Sequence, residues 1–253
     1  MPLKALIFDV DGTLSDTERD GHRPAFNLAF AEAGLDWHWD VALYGELLAV
    51  TGGKERMMFY VEHYRPDYRP PTDFTALVAR LHAAKTRHYT ALLARGEIPL
   101  RPGVERLLRE ARSRGVRLAI ATTTTPANVT ALLEHALSAE AVGWFEVIAA
   151  GDVVPAKKPA PDIYDYALAQ LGLAPGDCLA FEDSENGLRS ARGAGLKTVI
   201  TVNDYTRDHD FAGAVLVLDQ LGEPGQPFTR LAGQAEAADG VFDLALAQRL
   251  HQD

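Results

Sequence analysis

The chain has 253 residues, 47% hydrophobic and 24% charged, with a formal net charge of −10 at pH 7. That length holds one large domain, or a medium domain carrying an insertion. The acidic balance argues against general nucleic-acid or anionic-membrane partners, but leaves phosphorylated small molecules open, because local cations override a global field.

The single cysteine, Cys178, excludes an intrachain disulfide and reads as a buried structural thiol in a reducing compartment. No apolar run approaches the roughly 20 residues of a membrane helix. A strand begins within three residues of the start, leaving no room for a leader. The expectation is a monomer in the cytoplasm, or a mature organellar protein without its transit peptide.

In chain order, the strand-like runs are KALIF (4–8), VRLAIATT (116–123), FEVIAA (145–150), CLAFED (178–183), KTVITV (197–202) and AVLVL (214–218). Amphipathic patterns such as VERLLREARSRG (104–115) and PDIYDYALAQLG (161–172) lie between them. Continuous apolar strands alternating with helices predict an α/β fold with a parallel sheet covered on both faces. The spacing breaks once: roughly a hundred residues separate the first two strands, far more than a simple crossover needs. Residues 17–97 read mostly as helix, which predicts a helical cap domain inserted into a core of residues 1–16 and 98–253. Following the first strand directly, the insertion should sit over the carboxyl ends of the strands, where open α/β sheets bind ligands. The tail GEPGQPFTRLAGQAEAADG (222–240) reads as irregular and VFDLALAQRLH (241–251) as a last helix.

Charge gathers at the strand ends. Asp9 and Asp11 follow the first strand, Thr122 ends the second, Lys158 lies in VPAKKPAPD, and Glu182 and Asp183 end CLAFED. In a parallel sheet these ends share one edge, so distant segments converge on one cleft. An oxygen-rich site with several carboxylates suits Mg²⁺, which leaves coordination places for a phosphate. Asp9 is then placed to attack phosphorus, and Asp11 to protonate the leaving oxygen and later deprotonate the hydrolytic water. Lys158 and Thr122 are placed to hold the phosphoryl oxygens.

Plainer readings apply to the neighbours. Asp16 suits the N-cap of the first inserted helix. Thr123, Thr124 and Thr125 suit a helix start that offers backbone N–H groups to phosphate. Lys157 reads as solvent-exposed, and WHW (37–39) as packing within the insertion. Glu185 and Asn186 suit a helix cap, with Asn186 alternatively orienting Lys158. The remaining histidines show no zinc-ligand spacing.

DVDGT (9–13), AIATT (119–123), KKPAPD (157–162) and FEDSENG (181–187) together resemble, in order and spacing, the four motifs of the haloacid dehalogenase superfamily of phosphohydrolases. The resemblance implies a Rossmann-like three-layer core, with Mg²⁺ held by Asp9, the backbone carbonyl of Asp11 and Asp183, supported by Glu182, and a mobile helical cap. Within the superfamily the chain is most similar to the CbbY-type sugar phosphatases, relatives of β-phosphoglucomutase, on SDTERDGHRPAFNLAFAEAGL (15–35) and TGGKERM (51–57). That similarity implies that Glu18 and His22 face the substrate, although a structural role suits a helical histidine equally. It also implies that Lys54, Arg56 and Lys85 are cap cations for a second phosphate, Thr123 joining Thr122 on the first. The implied substrate is xylulose 1,5-bisphosphate, cleaved to xylulose 5-phosphate. The mutases of the group carry arginine where Lys54 aligns, and the stretch from Thr17 to His22 is one residue longer here, which weakens the mutase reading. A phosphosugar mutase, a phosphoglycolate-type phosphatase and a non-catalytic phosphosugar-binding regulator stay open as alternatives.

Overall fold

The computed structural model describes residues 2–233 and 240–252. The chain enters β1 (Ala5–Phe8) and then leaves the sheet. A π-helical turn at Glu18–His22 runs into α1 (Arg23–Glu32), followed by α2 (Val41–Leu47), α3 (Gly53–Tyr64) and α4 (Phe74–Ala94). Asp40 and Asp73 cap α2 and α4, accepting from the N–H groups of Leu43 and Ala76 at 2.8 and 2.9 Å. The chain returns beside its point of departure, where Ser15 pairs with Leu100 and the Arg101 N–H donates to the Leu14 carbonyl at 2.8 Å. Asp16 caps no helix: its carboxylate lies 3.4 Å from Arg101 Nε, which outcompetes the first helical turn for it.

The core then runs α5 (Val104–Ser113), β2 (Arg117–Thr122), α6 (Pro126–Ala136), β3 (Val147–Ala150), α7 (Asp162–Leu171), β4 (Cys178–Glu182), α8 (Glu185–Gly193), β5 (Lys197–Thr201), β6 (Leu216–Leu218), β7 (Arg230–Gly233) and α9 (Leu244–Gln252). Among the described residues the seven strands lie in the order β3-β2-β1-β4-β5-β6-β7, parallel except for the β6–β7 pair. Strand β7 falls within the stretch read as irregular. Its residues are all exposed, so it has no buried apolar face to mark it and is held by its backbone pairing with β6. Residues 234–239 of that stretch lie outside the described residues.

Alternation along each strand divides the side chains between two faces. Leu6, Phe8, Leu118, Ile120, Leu179 and Phe181 pack with α5, α6 and α9, with Phe8 and Phe181 stacked at 4.5 Å between centroids. Ala5, Ile7, Ala119, Ala121, Cys178 and Ala180 pack with α7 and α8, where small side chains admit helices close to the sheet. The insertion has its own aromatic core around Phe26, Phe30, Trp37, Trp39, Tyr44 and Tyr60. Trp37 and Trp39 are buried there, as packing within the insertion requires. No described helix is long and apolar enough to cross a membrane.

Candidate active site

Phe8 is level with Ile120 on one side and Phe181 on the other. The residues that follow, Asp9, Ala121 and Glu182, therefore emerge together at the carboxyl edge. The Asp9 N–H donates to the Phe181 carbonyl at 3.0 Å, which fixes the start of the loop. Gly12 turns that loop with φ +85°, and a Cβ there would lie 2.2 Å from Asp183 Oδ2, so only glycine lets the two segments meet.

The Lys158 ammonium is buried and spends its three protons on Asp9 Oδ1 at 2.7 Å, Glu182 Oε1 at 2.5 Å and the Ala121 carbonyl at 2.9 Å. The Lys158–Pro159 peptide is cis. Tyr164 donates to the same Glu182 oxygen at 2.5 Å, and Asn203 Nδ2 donates to Asp183 Oδ2 at 2.7 Å. Carboxylate oxygens of Asp9, Glu182 and Asp183 lie within 4.8 Å of one another, all buried. One ammonium does not balance three buried carboxylates. Burial, aided by Glu182 and Asp11 and opposed by Lys158, pushes Asp9 up to about 7. Burial, then Asp9 and Glu182, hold Asp183 well above the carboxylate range. Burial opposes the charge on Lys158 as well, but Asp9 and Glu182 keep its pKa above the ordinary lysine value. A buried, oxygen-only cluster with excess negative charge fits Mg²⁺.

Asp11 is held differently. Its Oδ1 accepts from Thr17 Oγ1 at 2.5 Å and lies 2.6 Å from His22 Nε2. Lys85 Nζ lies 2.7 Å from His22 Nδ1, so a protonated Lys85 leaves the imidazole its Nε2 proton for Asp11. Burial by itself would raise Asp11, but His22, Thr17 and Lys85 outweigh it and hold the carboxyl at about 2.

A cavity of about 240 Å³ opens over these groups, lined by Asp9, Asp11, Thr122, Thr123, Lys158, Glu182 and Asp183 from below and by Glu18 and Arg56 from the insertion. Tyr44 joins the last two: its hydroxyl donates to Glu18 and accepts from Arg56 Nη1, the latter at 2.9 Å. His22 and Lys85 border a small adjoining recess with Asp11, Glu18 and Arg56. Lys54 is not brought to the main cavity. It faces a separate recess with Thr123, Thr125 and Lys157, and pairs with Asp152 at 2.7 Å.

The plainer readings divide. Thr125 caps α6, as its place in the threonine run suggested. Lys157 is not solvent-exposed: it is largely covered and donates to Gly151 O and Asp152 Oδ1 at 2.6 Å. Ser184, rather than Glu185 or Asn186, caps α8. Asn186 leaves Lys158 alone and donates across to Thr51 Oγ1 at 3.3 Å. Tyr164, Asn203 and Tyr44 were not foreseen. Only Asn203 carried a signal, since it follows KTVITV at the strand edge where the other site residues collect.

Comparison with known proteins bears on this cleft. Residues 3–195 match the haloacid dehalogenase-like hydrolase family. The plasmid-borne CbbY protein of Cupriavidus necator is 52% identical over 249 residues, covering 98% of this chain and 97% of its own. A crystal structure of a CbbY mutant from Rhodobacter sphaeroides, in complex with xylulose-(1,5)bisphosphate, is 47% identical with a TM-score of 0.80, over 89% of this chain and 97% of that one. β-Phosphoglucomutase of Clostridium difficile shares the fold, with a TM-score of 0.69 at 23% identity over 86% of this chain and 91% of that one. The acidic strand-edge cleft falls within the matched residues, and on that match the chain belongs to the haloacid dehalogenase-like hydrolases, in the group that holds the CbbY proteins.

Proposed function

We propose that the protein is a Mg²⁺-dependent phosphatase that cleaves xylulose 1,5-bisphosphate to xylulose 5-phosphate through an aspartyl-phosphate on Asp9. One observation carries the chemistry: a buried carboxylate, Asp9, fixed 2.7 Å from a buried ammonium, Lys158, at the floor of an open cavity. The sugar is supported by the CbbY relative, 47% identical, whose structure holds that bisphosphate.

Asp9, Asp183 and the Asp11 carbonyl would hold Mg²⁺, with Glu182 in support; the ion, when bound, neutralises phosphoryl charge and offsets the carboxylate repulsion. The transferred phosphoryl group lies against Lys158, the Thr122 hydroxyl and the backbone at Thr123. An Asp9 oxygen attacks phosphorus while the bond from phosphorus to the sugar oxygen breaks. Asp11 gives that oxygen a proton, taken from His22 at 2.6 Å with Lys85 behind it. In the second half Asp11 removes a proton from water as the water oxygen attacks phosphorus; the bond to Asp9 breaks and phosphate leaves.

Residues 17–97 act as a cap that excludes bulk water during transfer. Glu18 binds sugar hydroxyls, while Arg56 and Lys85 supply positive charge for the second phosphate. Lys54 must first release Asp152 to join them. Phosphate release in Mg²⁺, comparing xylulose 1,5-bisphosphate with β-glucose 1-phosphate and phosphoglycolate, tests this. Release from the bisphosphate that disappears in Asp9→Asn is expected; substantial turnover by Asp9→Asn overturns the mechanism, and preference for another ester overturns the substrate.

A further inference from the structure

Glycine inside a helix loses more backbone entropy on folding than any other residue, yet α2 carries Gly45 two residues before its end. A Cβ there would lie 3.2 Å from one ring carbon of Tyr205 and 3.4 Å from the next. Tyr205 comes from the loop after β5, and its ring also meets Tyr44 edge-on, centroids 6.0 Å apart at 68°. Among the described residues it is the one member of the insertion's aromatic cluster that comes from outside residues 17–97. Its hydroxyl is buried without a hydrogen-bond partner among the described residues. The ring, not the oxygen, makes the contact.

Both sides of this contact lead to the cleft. Above, Tyr44 holds Glu18 and Arg56. Below, the Tyr205 N–H donates to Asn203 Oδ1 at 2.9 Å, and Asn203 Nδ2 holds Asp183 at 2.7 Å. Asp204, between them, faces Arg19 of the insertion at 3.4 Å. One loop, through Asn203, Asp204 and Tyr205, thus ties a carboxylate of the acidic cluster to the helix that positions the sugar-facing groups.

We propose that Tyr205 is a positioning residue with Gly45 as its socket: the seated ring sets the spacing between Glu18 and Arg56 above and Asp183 below. A phosphorylated sugar long enough to touch both layers gains from that spacing; a short phosphate ester does not. This rests on the sugar-phosphatase reading above, with residues 17–97 as the moving part.

The test uses the full chain in Mg²⁺ with Gly45→Val, Tyr205→Ala and Tyr205→Phe. Two quantities are measured: the ratio of kcat/KM for xylulose 1,5-bisphosphate to that for p-nitrophenyl phosphate, and amide hydrogen exchange of α2 without substrate. Gly45→Val and Tyr205→Ala should each lower the ratio about tenfold, mainly through KM, the scale of one aromatic contact. Both should speed α2 exchange, and Tyr205→Phe should restore both quantities. An unchanged ratio, or unchanged α2 exchange, overturns the proposal; equal losses on both substrates leave the ratio fixed and do the same. If the wild-type protein does not hydrolyse the bisphosphate, the functional reading fails by itself. Exchange in α2 then decides the docking alone, faster exchange upholding it and unchanged exchange overturning it.

Discussion

Asp9 and Asp11 sit two residues apart in the chain and are driven in opposite directions, Asp9 up to about 7 and Asp11 down to about 2. Burial acts on both; what differs is the company, since Asp9 shares Lys158 with Glu182, whereas Asp11 has Thr17 and His22 to itself. Divergent environments of this kind separate a pair of carboxylates into distinct chemical roles. A consequence can be measured without substrate. A carboxyl raised to about 7 is largely protonated below that pH, so Mg²⁺ must displace a proton to bind. Calorimetric titration with Mg²⁺ at pH 6 should show an enthalpy that varies with the ionisation heat of the buffer, and the variation should shrink by pH 8.5 as Asp9 ionises. For metal-free folding the sign is opposite to that of an ordinary salt-bridged carboxylate: Asp9 favours the folded state at low pH, and that contribution is lost as pH rises from 3.8 through about 7. Stabilisation by Mg²⁺ should accordingly be larger at pH 8 than at pH 5.5. Equal proton release at both ends of the range would refute the placement of the metal.

Much of this was legible because parallel strands buried on both faces read as unbroken apolar runs, and the charges that interrupt them mark the strand ends. Asp9, Thr122, Glu182 and Asp183 meet at one edge because the register of β1 with its neighbours brings them there, and Lys158 reaches them from the loop after β3. What escaped was set by contacts between distant segments. Tyr164 looks like any apolar helix position, and only folding brings its hydroxyl to Glu182. Lys54 and Arg56 look equivalent in TGGKERM, yet α3 turns Arg56 into the cavity and Lys54 toward Asp152. Asp16 looks like a cap in the local pattern, which does not contain its distant partner Arg101.

Burial, against the pull of Asp11 and Glu18, brings Lys85 down to about 8. Its ammonium should therefore be lost just above physiological pH, and with it a cation of the recess. kcat/KM for the bisphosphate should fall above pH 8, and Lys85→Met should remove that limb while lowering the plateau at least about tenfold. Unfolding does not explain the fall: between about 8 and 10.5 the unfolded chain binds the extra proton, so this group adds stability as pH rises. Thermal denaturation of Lys85→Met should give a midpoint equal to or above that of the wild type, since burial penalises the ammonium and methionine keeps an apolar stem in its place. An alkaline limb that survives in Lys85→Met would assign it to another group.

Tyr164 is fully buried and its hydroxyl donates a hydrogen bond to Glu182, with Lys158 lying over its ring at 5.2 Å. Tyr164→Phe keeps the ring and deletes the donor, leaving Glu182 to Lys158 alone. A lost hydrogen bond to a buried charge costs about 1.5–3 kcal/mol, and denaturant unfolding should show a loss in that range. Mg²⁺ affinity should fall several-fold as well, because Glu182 loses one of its two restraints. Unchanged stability and metal affinity together would mean that the hydroxyl contact is incidental.

Arg101 lies where the returning chain re-enters the core, and its buried guanidinium donates to the carbonyls of Gly12, Thr201, Val202 and Asp219. Its Nε also faces Asp16, at the outgoing crossing. Gly12 turns the loop between Asp9 and Asp11 and the insertion, so Arg101 ties the site loop, the ends of β5 and β6 and both chain crossings into one joint. A planar five-donor fork does this; an ammonium with three donors on a single atom does not. Arg101→Lys should therefore behave as a severe change despite the retained charge. Several buried carbonyls lose their donors at about 1–3 kcal/mol each, softened where water enters, so unfolding should show a loss of roughly 3 kcal/mol or more. Because Gly12 packs on Asp183, Mg²⁺ binding should weaken in parallel, which titration of the folded variant below its denaturation midpoint would show. A Lys variant of wild-type stability and metal affinity would mean that the backbone holds this joint without the guanidinium.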